Sequence, residues 1–242
     1  MEKIDIKFQA AIFVNATDIG PKPDTLSYFI TEFAEKELVP GTFQEIGPTG
    51  VLERFNLKDS KGTWNIEFSS SRIDIVKANP NIGVTNIGDL DAFKTEVFKI
   101  IDIIFSKYPR KANRLAFVTT HIDYNLDQEG FSKIFNNLFN PIPTYKENER
   151  SEWGSRMVSR INKKFGEHSE LHNFITEINR VRGNLNINST IKNVDRLQVK
   201  LDINTFQGNT DYRFEIEDMK TFYNEAILWE QNLRQELHTI FE

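Results

Sequence analysis

Cysteine is absent from the 242-residue chain. That excludes disulfides, thiol nucleophiles and thiolate metal ligands at once. Histidine is scarce, with four residues, so an imidazole-rich metal centre has little to draw on. No stretch approaches the roughly 18 uninterrupted apolar residues that a membrane span needs. The charged start Met1-Glu2-Lys3 is not followed by the apolar run of a secretion signal. A cytoplasmic protein without membrane association is expected. A phosphate-cradling glycine loop and a GxSxG nucleophile elbow are both missing; the glycines punctuate turns. Net charge is -5, which weighs against a dedicated nucleic-acid binder.

What the chain does contain is an internal echo. Ile216, Asp218, Met219, Phe222, Glu225 and Ala226 repeat the spacing of Ile87, Asp89, Leu90, Phe93, Glu96 and Val97. In each copy the aspartate reads as a helix cap, and the apolar residues after it recur at helical spacing. Tyr108-Pro109 ends the first of these helices.

Around the echo, each half has the same order of elements. Ile4–Val14 alternates and then turns apolar, a strand that becomes more buried. Asp24 opens a helix that Pro40-Gly41 ends. Strands follow at about 42–46, 51–57, 63–68 and 72–77, joined by turn chemistry at Gly47-Pro48-Thr49-Gly50 and 58–62, and closed at Asn79-Pro80-Asn81. In the second half, residues 115–124 read as a strand, Asp127 caps a helix broken at Pro141, and residues 144–152 read as an exposed polar loop. Residues 197–205 alternate as a half-buried strand before the last helix. The segment 153–182 fits either a helix face or a long hairpin. Its β-branched content and the break at 166–169 favour strands, as does the repeat.

The expected fold is therefore α+β. Two pseudo-repeated β-α-β(3-4)-α halves, residues 1–109 and 110–242, join into one domain. Their antiparallel sheet is curved, with helices on one face. This order resembles the halves of the TATA-binding-protein-like saddle folds. The resemblance implies a continuous curved sheet and carries no DNA-binding function with it. Three strings, Trp64–Phe68 with Arg72–Ile75, Leu201–Asn204, and Leu237–Phe241, are similar to an uncharacterised, sporadically distributed family of bacterial proteins. That resemblance implies an accessory or defence-associated role.

The surface feature that stands out is basic. Residues 151–200 hold nine Lys/Arg against five Asp/Glu, while 201–242 hold three against nine. On strands, Arg156, Arg160 and Lys164 share a face, and so do Arg180 and Arg182. Facing one another across a hairpin, and joined by Arg196, they would form a stripe for phosphates or an acidic partner. The plainer alternative is a solvated face neutralised by the acidic last helix through Glu215, Glu217, Asp218 and Glu225. Other constellations are weaker. His168 and His172 lack a zincin glutamate, His121 and Asp123 lack a nucleophile beside them, and Asp74, Asp202 and Glu67 lack the lysine of a nuclease motif. No catalytic, cofactor or metal residues are assigned. The leading expectation is a non-catalytic component that binds a protein partner through an open sheet face or strand edge. A nucleic-acid binder using the basic face comes second and a metal-dependent enzyme last; a homodimer is left open.

Overall fold

The computed structural model describes residues 2–47, 50–80, 87–124, 126–187 and 190–241. Turn residues 48–49 and Asn81 lie outside them. Strands β1 (Glu2–Phe13), β2 (Val39–Gly47), β3 (Gly50–Lys58), β4 (Trp64–Phe68), β5 (Ile73–Ala78), β6 (Arg114–Tyr124), β7 (Trp153–Phe165), β8 (His168–Ile187) and β9 (Thr190–Thr205) form one sheet. Helices α1 (Pro23–Glu32), α2 (Leu90–Lys107), α3 (Gln128–Leu138), α4 (Pro143–Glu147) and α5 (Ile216–Phe241) connect them. The sheet order is β2-β3-β4-β5-β1-β6-β9-β8-β7. Every neighbouring pair is antiparallel. The protein is α+β with an open nine-stranded antiparallel sheet, and no described helix is long and apolar enough to cross a membrane.

Strand alternation decides which residues meet the helices. Phe8, Ala10 and Ile12 of β1 and Leu115 and Phe117 of β6 are buried in one core with Phe29 of α1, Phe93 and Ile100 of α2, and Phe222 and Tyr223 of α5. A second cluster joins Phe131 and Ile134 of α3 to Ile178, Val199 and Leu201 of the sheet and Leu237 of α5. Helix residues of both clusters pack on the same sheet face. The residues between them on the strands point the other way, where no described helix packs.

β1 carries one irregularity that matters. Asp5 pairs with His121, but Lys7 pairs with Thr120, so one extra residue sits in β1. Such a bulge inverts the alternation. It brings Lys3 and Asp5 onto the helix-covered face beside His121 and Asp123, whereas Lys7 and Gln9 lie on the open face.

Local expectations fare unevenly. Segment 153–182 is strand, β7 and β8. Asp89 caps α2 by accepting from Ala92 N–H at 2.7 Å, and Asp127 caps α3 by accepting from Gly130 N–H at 2.8 Å. Asp218 is not a cap: α5 begins at Ile216, and Asp218 reaches back to accept from Glu215 N–H at 2.9 Å. Asp24 lies in the first turn of α1, behind Lys22 at the cap and Pro23 at the first helical position. Pro40-Gly41 does not end α1, which stops at Glu32. Both residues belong to β2, tolerated because β2 is an edge strand. The expected loop 144–152 holds the short helix α4, nucleated by Pro143. Asp89→Ala and Asp127→Ala should each lower stability by about 1 kcal/mol, read as a lower urea midpoint with unchanged slope.

Candidate functional site

The open face is read directly from strand register. One row crosses it as Arg156, Glu177, Lys200, Thr120 and Lys7, from β7 through β8, β9 and β6 to β1. Four residues along each strand, another row runs Arg160, Asn173, Asn204, Ala116, Ala11 and Asp74, from β7 to β5. Five interstrand spacings of ~4.8 Å make the band roughly 24 Å long.

Hydrogen bonds tie the second row together. Arg160 Nε donates to Asn173 at 3.3 Å, Asn173 to Asn204 at 2.9 Å and to Gln207 at 3.0 Å, and Asn204 to Asp202 at 2.7 Å. Arg114 donates to Asn204 at 3.0 Å, while Arg72 and Gln9 both donate to Asp74. Two aromatic rings are set among these groups. Arg114 and Arg72 lie 4.6 and 5.6 Å from the Phe13 ring centre, and Arg160 lies 4.7 Å from that of Phe206. Burial lowers the Lys7 ammonium below its ordinary value; Asp74 opposes this, and Lys200 and Arg72 add to it. Arg54 also lies on this face, but its guanidinium is spent on the carbonyls of Phe68, Ala16 and Thr17.

Of the six expected basic residues, Arg156, Arg160 and Lys164 are exposed on the open face, and Arg196 lies there opposite Val181. Arg180 and Arg182 do not join them. Arg156 pairs with Glu177 and Trp153 with Arg180, so the even residues of β8 face the helices. Both arginines bind Asp195, Arg180 through two bonds of 2.9 and 2.6 Å. The Arg180 bonds, with help from Arg182, hold the Asp195 carboxyl below the usual range against the opposing effect of burial. The side chain of Lys192 lies outside the described residues.

The acidic helix does not neutralise the open face either. α5 packs on the other side, where Glu215 pairs with Lys111, Asp218 with His168 and Glu217 with Lys220. His172 is buried and its Nδ1 meets the Glu170 carbonyl at 2.9 Å. Among the described residues no three His, Asp or Glu side chains are grouped to hold a metal ion. Asp74 is buried against Arg72, which makes it part of the open-face network.

A second feature lies on the helix-covered face. Thr119, His121 and Asp123 of β6, Lys3 and Asp5 of β1, and Glu230 and Arg234 of α5 converge there. Thr119 donates to Glu230 at 2.7 Å. Arg234 bonds Glu230 through Nε and pairs with Asp5 at 2.9 Å. His121 and Asp123 stand 4.0 Å apart, both nearly inaccessible. Burial first, then the charges of Arg234 and Lys3, pushes His121 well below its ordinary value, so the imidazole is neutral. Burial raises the Asp123 carboxyl to about 6, although Lys3 and Arg234 pull it back. Phe13, Phe206, Arg114, Glu230 and Arg234 are the residues that sequence reasoning missed. The helical spacing of Glu230, Arg234 and Leu237 was the one available signal, since it places two charges on an otherwise apolar helix face.

Comparison with protein-family models, curated proteins and solved structures finds no match.

Proposed function

We propose that the chain is a non-catalytic binding protein whose open sheet face takes a single-stranded nucleic acid. The carrying observation is the interleaving of Arg160, Arg114 and Arg72 with the Phe206 and Phe13 rings along one hydrogen-bonded band. Strand binding needs cations that follow the phosphates and flat groups on which bases stack. Gln207 is exposed and offers its amide to base edges, while Asn173 and Asn204 are buried and spend theirs on holding the band together. Net charge of -5 does not oppose this reading, because the acidic α5 is on the far side of the sheet.

We also read the chain as a duplicated unit forming a saddle. In support, the strand order mirrors itself about the β1–β6 junction, with β2-β3-β4-β5-β1 on one side and β6-β9-β8-β7 on the other. Ala11, Ala116 and Val118 are nearly inaccessible on a face that no described helix covers, as the hollow of a curved sheet would make them.

The test is fluorescence anisotropy with a labelled oligonucleotide over a salt series. Reversal of Arg156 and Arg160 to glutamate should weaken binding at least tenfold and flatten the salt slope by roughly 1.4, about 0.7 for each lost phosphate contact. Lys99→Glu on the exposed side of α2 should change neither. Unchanged binding in the double variant would remove the open face from the account.

A protein partner is the second reading, favoured by the β2–β3 edge. Ile46 is 86% exposed there, beside exposed Val51 and Leu52, and Val39 is exposed at the other end of β2. The opposite edge is less suited to strand addition, since Arg156, Arg160 and Lys164 put charge along β7.

A further inference from the structure

We propose that the recess between β1, β6 and the C-terminal end of α5 binds a short-chain organic carboxylate, its head between Lys3 and Arg234 and its tail against Leu237 and Phe241. This is a different site from the open face and stands independently of it. The recess is lined by Lys3, His121, Asp123, Arg234, Leu237, His238 and Phe241 and has a volume of about 80 Å³. At ~10–15 Å³ for each water-sized group, that admits a ligand of a handful of heavy atoms and nothing as large as a nucleotide.

Its walls select the chemistry. Arg234 Nη2, His121 Nδ1 and Asp123 Oδ2 are buried without a hydrogen-bond partner in the protein. The His121 and Asp123 side chains are 5% and 4% exposed. Buried polar atoms of this kind normally have partners, so three on one wall point to a polar ligand. Glu230 and Asp5 do not line the recess: Glu230 accepts from Thr119 and Arg234 and Asp5 pairs with Arg234, although one oxygen of each is likewise buried without a hydrogen-bond partner. The wall itself has two basic groups, Lys3, whose ammonium burial and Arg234 lower from its ordinary value, and Arg234, against one carboxyl group, Asp123. An anionic head fits that balance, and Leu237 and Phe241 suit a hydrocarbon tail better than a compact inorganic anion.

Asp123 makes the binding proton-linked. It is faced by Lys3 and Asp5 from β1, by His121 on its own strand, and by Glu230, Arg234 and His238 from α5. A protonated Asp123 donates to the bound carboxylate; an ionised one repels it. Burial favours the protonated form up to a pH of about 6.

Isothermal titration calorimetry with sodium butyrate tests the proposal, with butylammonium chloride as the cationic control. Wild type should bind butyrate saturably, with an affinity roughly 25-fold lower at pH ~7.5 than at ~5.5, following the protonated fraction of Asp123. Asp123→Asn, which donates at any pH, should bind at both pH values with affinities within about twofold of each other. Lys3→Glu, at the exposed mouth, should weaken binding at least about tenfold at both; it keeps the test decisive if Asp123→Asn fails to fold. Absence of saturable heat with butyrate, equal or better binding of butylammonium, or an unaffected Lys3→Glu would overturn the assignment.

Discussion

Replacing Arg180 with alanine should cost about 3–5 kcal/mol of folding stability, while Arg156→Ala should cost less than about 1 kcal/mol. The two arginines look alike in sequence and do opposite things. Arg180 is 3% exposed and donates twice to Asp195, once to the Arg150 carbonyl and once to Gln128. Its guanidinium also covers the Phe131 ring at 4.2 Å. One side chain thereby ties β8 to β9, α3 and the chain leading into β7. Truncation leaves Asp195, the carbonyl and the amide without their donor. Arg180→Lys should recover only a minor part of the loss, because an ammonium cannot supply the planar fork. Arg156 is mostly exposed and meets Glu177 only at 3.4 Å. Urea unfolding of the three variants checks the contrast. A small loss for Arg180→Ala would mean that Arg180 is free to serve as a surface cation.

Asp123→Asn should stabilise the protein by roughly 3 kcal/mol near pH 8 and lose that advantage by about pH 4. The Asp123 carboxyl sits at about 6 in the folded chain against 3.8 for an ordinary aspartate. Between those values the folded state holds a proton that the unfolded state has released. Stability therefore falls as pH rises through that window, and the whole cost is present above about pH 6. Asparagine has the same shape without the ionisation. His121 works in the other direction. Its lowered value makes protonation unfavourable, so acidification below the ordinary histidine range also destabilises the fold. That contribution persists in the variant and isolates the Asp123 effect. Thermal melts from pH ~4 to ~8 should show the difference in midpoint between wild type and variant opening as pH rises. A difference independent of pH would mean that Asp123 titrates normally.

Much of the fold was legible because its signals are local. Alternation in β1 and β9, the turn residues at 58–62, and the caps Asp89 and Asp127 each act within a few positions. Segment 153–182 was ambiguous by pattern, since Leu171, Phe174, Ile175 and Ile178 satisfy a helix face. Pairing with β9 decides it, and that is a long-range fact. The candidate site was legible only in part, for a similar reason. Arg156 and Arg160 were placed on one face correctly, as were Arg180 and Arg182 on one face. Whether the two faces coincide depends on the register across Gly166-Glu167, where Phe165 pairs with His168. That register puts odd residues of β7 opposite even residues of β8, which sends Arg180 and Arg182 to the helices. The bulge in β1 hid the recess likewise, because alternation alone would put Lys3 and Asp5 on the side of Lys7. Phe13 and Phe206 lie far from residues 151–182 in sequence, so the sheet alone brings them beside the arginines.

The central claim is that the open face carries the binding site, and photo-crosslinking to a short halogenated single-stranded oligonucleotide tests it most directly. After proteolysis, mass spectrometry should find the oligonucleotide on peptides containing Phe13 or Phe206, with further adducts on β7 near Arg160. Crosslinks confined to the helices, or none at low salt, would contradict the account and move the exposed β2–β3 edge to the front.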